Sequence, residues 1–254
     1  MNFRKYPVTI TIIIICVLVT IGIQVCGLNE AEAAILFGAY YKPFILAGEW
    51  WRMLTVGFVH ISFIHLLMNM TSLYSLGMAL EPYLGKWKYL LILFVSVIGG
   101  SMFVFAGNGS VLCVGLSGGL YGLLACYAYL VYKHGGFNVP SIRNAFIRTF
   151  IINLIINFMP GISWMAHLGG FVTGILLSGV LETEDTGLRY GFLGAFVVLC
   201  ICMMLLDVRN ASLASDEIYG GTDQIVLQKY KDIGLSAHAE HMQEKLITIY
   251  TKAG

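Results

Sequence analysis

The chain has 254 residues, of which 58% are hydrophobic and 11% charged, and its formal net charge is +1. Soluble domains carry roughly 25% charged residues, so much of this surface must face lipid, and a near-neutral balance gives no electrostatic footprint for nucleic acid. The apolar stretches are long and continuous, which excludes a membrane β-barrel and predicts an all-α polytopic membrane protein.

A span needs about 20 apolar residues, and the candidate runs are 7–26, 61–80, 88–106, 117–132, 146–159, 165–181 and 190–206. The first, from Pro7 to Val25, has no short apolar core followed by a small-residue cleavage site, and is expected to be retained as a membrane helix. The segment 27–59 is too apolar for a plain linker. It carries Ile35-Leu36-Phe37, Tyr40-Tyr41, Phe44-Ile45-Leu46 and Trp50-Trp51. Aromatics at that density suit the headgroup level and predict a structured element lying partly in the outer leaflet.

The second run contains His65 and Asn69, four apart and therefore on one helix face. Polar groups in hydrocarbon are expensive, and the pair fits either hydrogen-bond donation to a reacting oxyanion or packing between helices. His60 is rotated off that face and is expected near the aqueous end in a structural role.

The fourth run opens on Gly115-Leu116-Ser117-Gly118 after a loop of small residues. Ser117 thus falls at a helix N-terminus, where unpaired backbone N–H groups and the helix dipole favour negative charge. Alone, so short and common a motif reads rather as a serine N-cap. The fifth run has Arg143 and Arg148 at its start, which a span tolerates if both side chains snorkel. The sixth begins Ala166-His167-Leu168-Gly169-Gly170. Gly170 and Gly174 there, and Gly118 and Gly122 on the Ser117 helix, are small residues at the spacing that lets membrane helices approach closely. Close approach would bring His167 to Ser117 as a general base.

The last run predicts a seventh helix over 186–208, with a polar tail over 209–254 forming one or two helices. Basic residues gather at Arg4, Lys5, Lys86, Lys88, Lys133, Arg143 and Arg148, whereas the loops around 107–116 and 160–164 are uncharged. This asymmetry puts the N-terminus in the cytoplasm and the other loops, with the site, on the outer face. Cys16, Cys26, Cys113, Cys126, Cys200 and Cys202 lack metal-ligand spacing and read as packing residues.

Ser117, His167 and the His65/Asn69 pair, in this order on these runs, resemble the rhomboid family of intramembrane serine proteases. Trp51-Arg52 is similar to that family's Trp-Arg motif, Tyr121 to the tyrosine packed on the catalytic histidine, and Glu81 to a family glutamate. The resemblance covers roughly residues 50–180. It implies a six-helix bundle with an added C-terminal transmembrane helix: a catalytic core over 1–185, a seventh helix over 186–208 and a soluble helical tail over 209–254. It implies Ser117 as nucleophile and His167 as base. His65, Asn69 and the Ser117 N–H would form the oxyanion hole, with Gly115, Gly118, Tyr121, Trp51 and Arg52 in support. Residues between Phe158 and Met165 resemble the family's cap over the site. No carboxylate precedes Asp185 except glutamates in loops or at span ends, so a Ser–His dyad is expected, with Tyr121 positioning the ring.

The expected activity is hydrolysis of transmembrane segments of single-pass or polytopic membrane proteins in the cell membrane, through an acyl-enzyme, with no cofactor and no metal. The bilayer is the one other expected partner, apart from a protein that the tail would bind. A metalloprotease lacks its His-Glu-x-x-His here. A transporter, or a non-catalytic membrane chaperone of the same fold, stays open on the sequence.

Overall fold

The computed structural model describes residues 5–107, 112–157, 162–211 and 220–253. Helix α1 (Pro7–Val25) begins on a proline, where the missing N–H is no loss. Its first turn is capped from a distance: Glu81 accepts from the backbone N–H of Val8 and Thr9 and from the Thr9 hydroxyl. A buried carboxylate at a helix N-terminus satisfies orphan donors and complements the dipole.

The 27–59 segment is structured, as its aromatic density demands. It holds α2 (Glu30–Leu36), entered through an Asn29/Glu32 capping box, then α3 (Lys42–Leu46) and α4 (Arg52–Thr55). Between α2 and α3 the extended pair β1 (Tyr40–Tyr41) joins β2 (Leu112–Cys113) in an antiparallel ribbon that two such short runs do not advertise in sequence. The predicted second and third runs form two helices that abut directly in one element, α5 (Phe63–Ala106). It is broken at Gly85, whose φ of +75° only glycine adopts readily. Its 44 residues supply about 66 Å of helix at 1.5 Å per residue, roughly twice a bilayer core. The chain reverses at that break. Gly85 lies near Lys88, which pairs with Glu182 at 2.7 Å, whereas Ser101, near the far end, donates to the Met53 carbonyl in the 27–59 segment.

Then follow α6 (Ser117–Lys133), α7 (Pro140–Ile156), which starts earlier and stops earlier than the 146–159 run, and α8 (Trp164–Glu182). Next come α9 (Thr186–Arg209), α10 (Gly220–Asp232) and α11 (Ser236–Ala253). Helices α1, α5, α8 and α9 are long and apolar enough to cross a membrane; α6 and α7 have 17 residues each. The protein is a helical, multi-pass membrane bundle with one short β ribbon. The core sits where α5, α6 and α8 meet, and glycines set its spacing. A Cβ on Gly170 would lie 1.9 Å from the Gly118 carbonyl oxygen, and one on Gly174 would lie 2.4 Å from the Gly122 Cα. Gly99 and Gly122 receive the hydroxyl side chains of Thr173 and Ser96. Helix α9 docks by pressing the Phe192 ring onto Gly179 of α8, with most of its surface facing outward.

The tail is not a separate appendage. Val226, Leu227, Tyr230, Ala239, Met242 and Leu246 bury an apolar stripe against Ile35, Tyr41, Phe44 and Ala47. Polar anchors flank it. Asp223 accepts from the hydroxyls of Tyr41 and Tyr250, both at 2.6 Å. Burial pushes the Asp223 carboxyl above its ordinary range, and the two tyrosine hydrogen bonds pull it back down. Arg52, 1% exposed, pairs with Glu49, donates to the carbonyls of Ile35 and Ala39, and reaches the Tyr230 hydroxyl at 2.8 Å. His238, which the sequence leaves unassigned, meets Glu49 at 2.6 Å.

Two outcomes follow for thermal unfolding of the full chain in detergent. Gly170→Val drives side-chain atoms into the Gly118 backbone and is expected to lower stability by about 1–3 kcal/mol, whereas Gly191→Ala, which has open space, leaves the midpoint unchanged. Arg52→Leu removes a buried partner from Glu49 and is expected to cost about 3–5 kcal/mol and to hasten proteolytic release of α10 and α11; an unaltered midpoint would contradict the clamp.

Candidate active site

The site is assembled at one end of the glycine-lined contact between α6 and α8. The approach to α6 turns at Gly115, with φ of +108°, and the Gly115 N–H donates to the Val56 carbonyl at 3.1 Å. A Cβ there would stand 2.6 Å from the Cε1 atom of His65, so glycine is required both by the backbone and by the ring it admits. Ser117 is the first residue of α6, after Leu116 as N-cap. Its N–H is one of the first-turn donors without an intrahelical acceptor. The side chain is thus not the N-cap that one reading of the sequence allows.

Across the contact, Ser163 caps α8 by accepting from the Ala166 N–H, and His167 follows one turn in. His167 is 5% exposed, and its Nε2 lies 2.8 Å from the Ser117 Oγ. Tyr121, one turn beyond Ser117, stacks flat on the imidazole, with ring centroids 4.2 Å apart and planes 12° apart. The far side of the ring edge is also engaged: His167 Nδ1 meets the side-chain carbonyl of Asn157. The Asn157 amide donates to the Tyr121 hydroxyl at 3.0 Å and to the Asn153 carbonyl, which accepts from Tyr121 as well.

Sequence reasoning missed Asn157. The signal was present, since Asn153 and Asn157 are polar, four apart and inside an apolar run, the same grounds on which His65 and Asn69 stand out. The acceptor at this position is a neutral amide rather than the carboxylate of a Ser–His–Asp site.

Ser117, His167, His65, Asn69, Gly115, Gly118 and Tyr121 all line one cavity of about 1090 Å³. The Asn69 amide donates to the His65 carbonyl at 3.0 Å, one turn back; an amide NH₂ has two donors, so one remains. His60 lies just before the start of α5. It is fully buried, with its ring 5.0 Å from that of His65, because the extended backbone at 59–62 turns it inward beside α5. Trp51 and Arg52 do not line the cavity. Trp51 is half exposed beside His238, and Arg52 ties the 27–59 segment to the tail. Glu81 holds α1 instead. Of the expected cap, 158–161 lies outside the described residues, while Ile162 and Ser163 line the cavity.

Comparison with known proteins finds the rhomboid domain model matching residues 47–183. Over 164 residues the chain is 33% identical to rhomboid protease GluP of Bacillus subtilis, a match covering 63% of this chain and 32% of that protein. It is 32% identical over 163 residues to RHOMBOID-like protein 5 of Arabidopsis thaliana, covering 61% and 50%. It is 29% identical over 148 residues to rhomboid-type serine protease 2 of Emericella nidulans, covering 56% and 29%. The matched stretch therefore spans half or less of the length of these relatives.

Gly115→Ala tests the local geometry. It meets both the positive φ and the His65 ring, so its unfolding midpoint is expected to fall further than that of Gly135→Ala, which shares a positive φ of +68° but has no neighbour closer than 3.5 Å. The difference is expected to be about 1–3 kcal/mol; equal losses would mean that the ring gives way freely.

Proposed function

Because this chain belongs to the rhomboid family, we propose that it is an intramembrane serine endopeptidase that cleaves transmembrane segments of other membrane proteins. The observation that carries the reading is the 2.8 Å pairing of Ser117 Oγ with His167 Nε2 on the wall of a cavity large enough for water and an unwound peptide. Its relatives named as proteases support the class.

In this reading Ser117 Oγ attacks the scissile carbonyl while His167 Nε2 takes its proton. The tetrahedral oxyanion accepts hydrogen bonds from the Ser117 N–H, the His65 ring and the second Asn69 N–H, donors held in place before charge develops. His167 then gives its proton to the leaving amine and an acyl-enzyme remains. Water from the cavity attacks the ester, His167 takes the water's proton and returns it to Ser117, and the new carboxyl terminus departs.

A helical substrate hides its carbonyls, so residues that weaken a transmembrane helix favour cleavage, and a small residue before the cut bond fits the family resemblance. Lys88, Lys133, Glu182 and Glu184 gather at one end of the bundle, and the positive-inside rule makes that end cytoplasmic. The N-terminus then lies in the cytoplasm, the cavity opens to the outer face, and the tail, docked on the 27–59 segment, lies outside.

The test is labelling of the purified full chain by a fluorescent fluorophosphonate, alongside cleavage of a transmembrane reporter. The wild-type chain is expected to do both. Ser117→Ala should lose labelling and lower cleavage by about 10⁴-fold or more, and Cys113→Ala should retain both. Labelling that survives Ser117→Ala, or cleavage abolished by a chelator, would contradict the assignment.

A further inference from the structure

We propose that Asn157 is a positioning residue that selects the reactive tautomer of His167. The proposal rests on the Ser117–His167 reading above and adds a third member, the residue that caps the C-terminus of α7, to what the sequence presents as a dyad.

Donor counting carries the argument. The Asn157 amide nitrogen is committed twice, to the Tyr121 hydroxyl at 3.0 Å and to the Asn153 carbonyl at 3.2 Å. Rotating the amide by half a turn would set its oxygen against the Asn153 carbonyl oxygen, two acceptors face to face. The Tyr121 hydroxyl donates its one proton to the same carbonyl at 2.8 Å, so it is left only as an acceptor toward Asn157. The amide orientation is thus fixed from two sides, and its oxygen must face His167 Nδ1. That oxygen only accepts, so Nδ1 carries the proton. A neutral imidazole protonated at Nδ1 has its bare lone pair on Nε2, the atom 2.8 Å from the Ser117 hydroxyl.

The Tyr121 stack cannot make this choice. A flat contact between rings fixes the plane of the imidazole but is nearly indifferent to which nitrogen bears hydrogen. Asn157 discriminates because one tautomer is hydrogen-bonded and the other would bring two lone pairs together. A neutral amide also suits the surroundings. A carboxylate in this apolar bundle would carry a desolvation penalty of several kcal/mol, which an uncharged acceptor avoids while still strengthening its bond as the ring takes up charge.

The placement has a mechanical side. No described side chain of α7 is buried, so this helix is held to the bundle lightly, and its hydrogen bonds to Tyr121 and His167 are among its points of attachment. The orientation of the base therefore depends on where the end of α7 stands.

The experiment uses the full chain in detergent with ¹⁵N-labelled histidine. His167 signals are assigned by their loss in His167→Ala. The wild-type ring is expected as a single Nδ1–H tautomer. Asn157→Leu should yield a mixed tautomer and lower kcat and the fluorophosphonate labelling rate by about 10- to 10³-fold, short of the ~10⁴-fold that a wrong tautomer causes in a Ser–His–Asp site, with KM unchanged. Asn157→Gln, which keeps both the acceptor and the amide donors, should restore more of the single tautomer and of the rate than Asn157→Leu does. A wild-type ring protonated at Nε2, or a tautomer unchanged in Asn157→Leu, overturns the proposal without reference to activity. Failure of the protease reading would appear elsewhere, as labelling that ignores Ser117.

Discussion

The whole site depends on how closely α6 and α8 can lie. Hydrophobic burial does little to pull helices together in lipid, so the contact rests on packing and on backbones that come within van der Waals reach. At Gly118, Gly122, Gly170 and Gly174 the two backbones meet with no side chain between them. The serine and the histidine sit just beyond its end, on helices whose separation the glycines have already set. Had either helix carried even alanine at Gly170, the two side chains would be pushed apart along with the backbones.

The second constraint is the accounting of polar groups in an apolar bundle. Several buried polar side chains link distant parts of the chain. Glu81 closes the first turn of α1, Arg52 and Glu49 bind the 27–59 segment to the tail, and Asn157 joins Tyr121 to His167. These links tie distant parts of the chain to the site's scaffold. The β1–β2 ribbon connects the 27–59 segment to the approach to Ser117, and the tail helices cover the far face of that same segment. The tail is therefore coupled to the cavity through packed elements rather than hung from α9.

Much of this was legible in the sequence, because hydropathy and small-residue spacing are strong signals in membranes. Ser117, His167, His65 and Asn69 stand out as polar or glycine-flanked positions in apolar runs, Tyr121 enters through the family resemblance, and the structure gathers all five on one cavity. What was not legible has a physical reason in each case. The direct junction between the two arms of α5, with no loop, rests on one backbone angle at Gly85, which hydropathy does not register. His60 was placed by helical rotation, but it precedes the helix, where that rotation does not apply. His238 meets Glu49 across 189 residues, a separation that no local pattern spans. Asn157 is visible in the sequence as an intramembrane amide, but a neutral acceptor carries none of the signal that a carboxylate near a histidine gives.

The account predicts one arrangement of atoms above all. An experimental structure of the chain in lipid, after reaction with a phosphonate, would test it most directly. The phosphorus should be bonded to Ser117 Oγ, with one phosphoryl oxygen within hydrogen-bond distance of the Ser117 N–H, the His65 ring and the Asn69 amide, and His167 beside the serine. An adduct on another residue, or Ser117 and His167 held on separated helices, would contradict it.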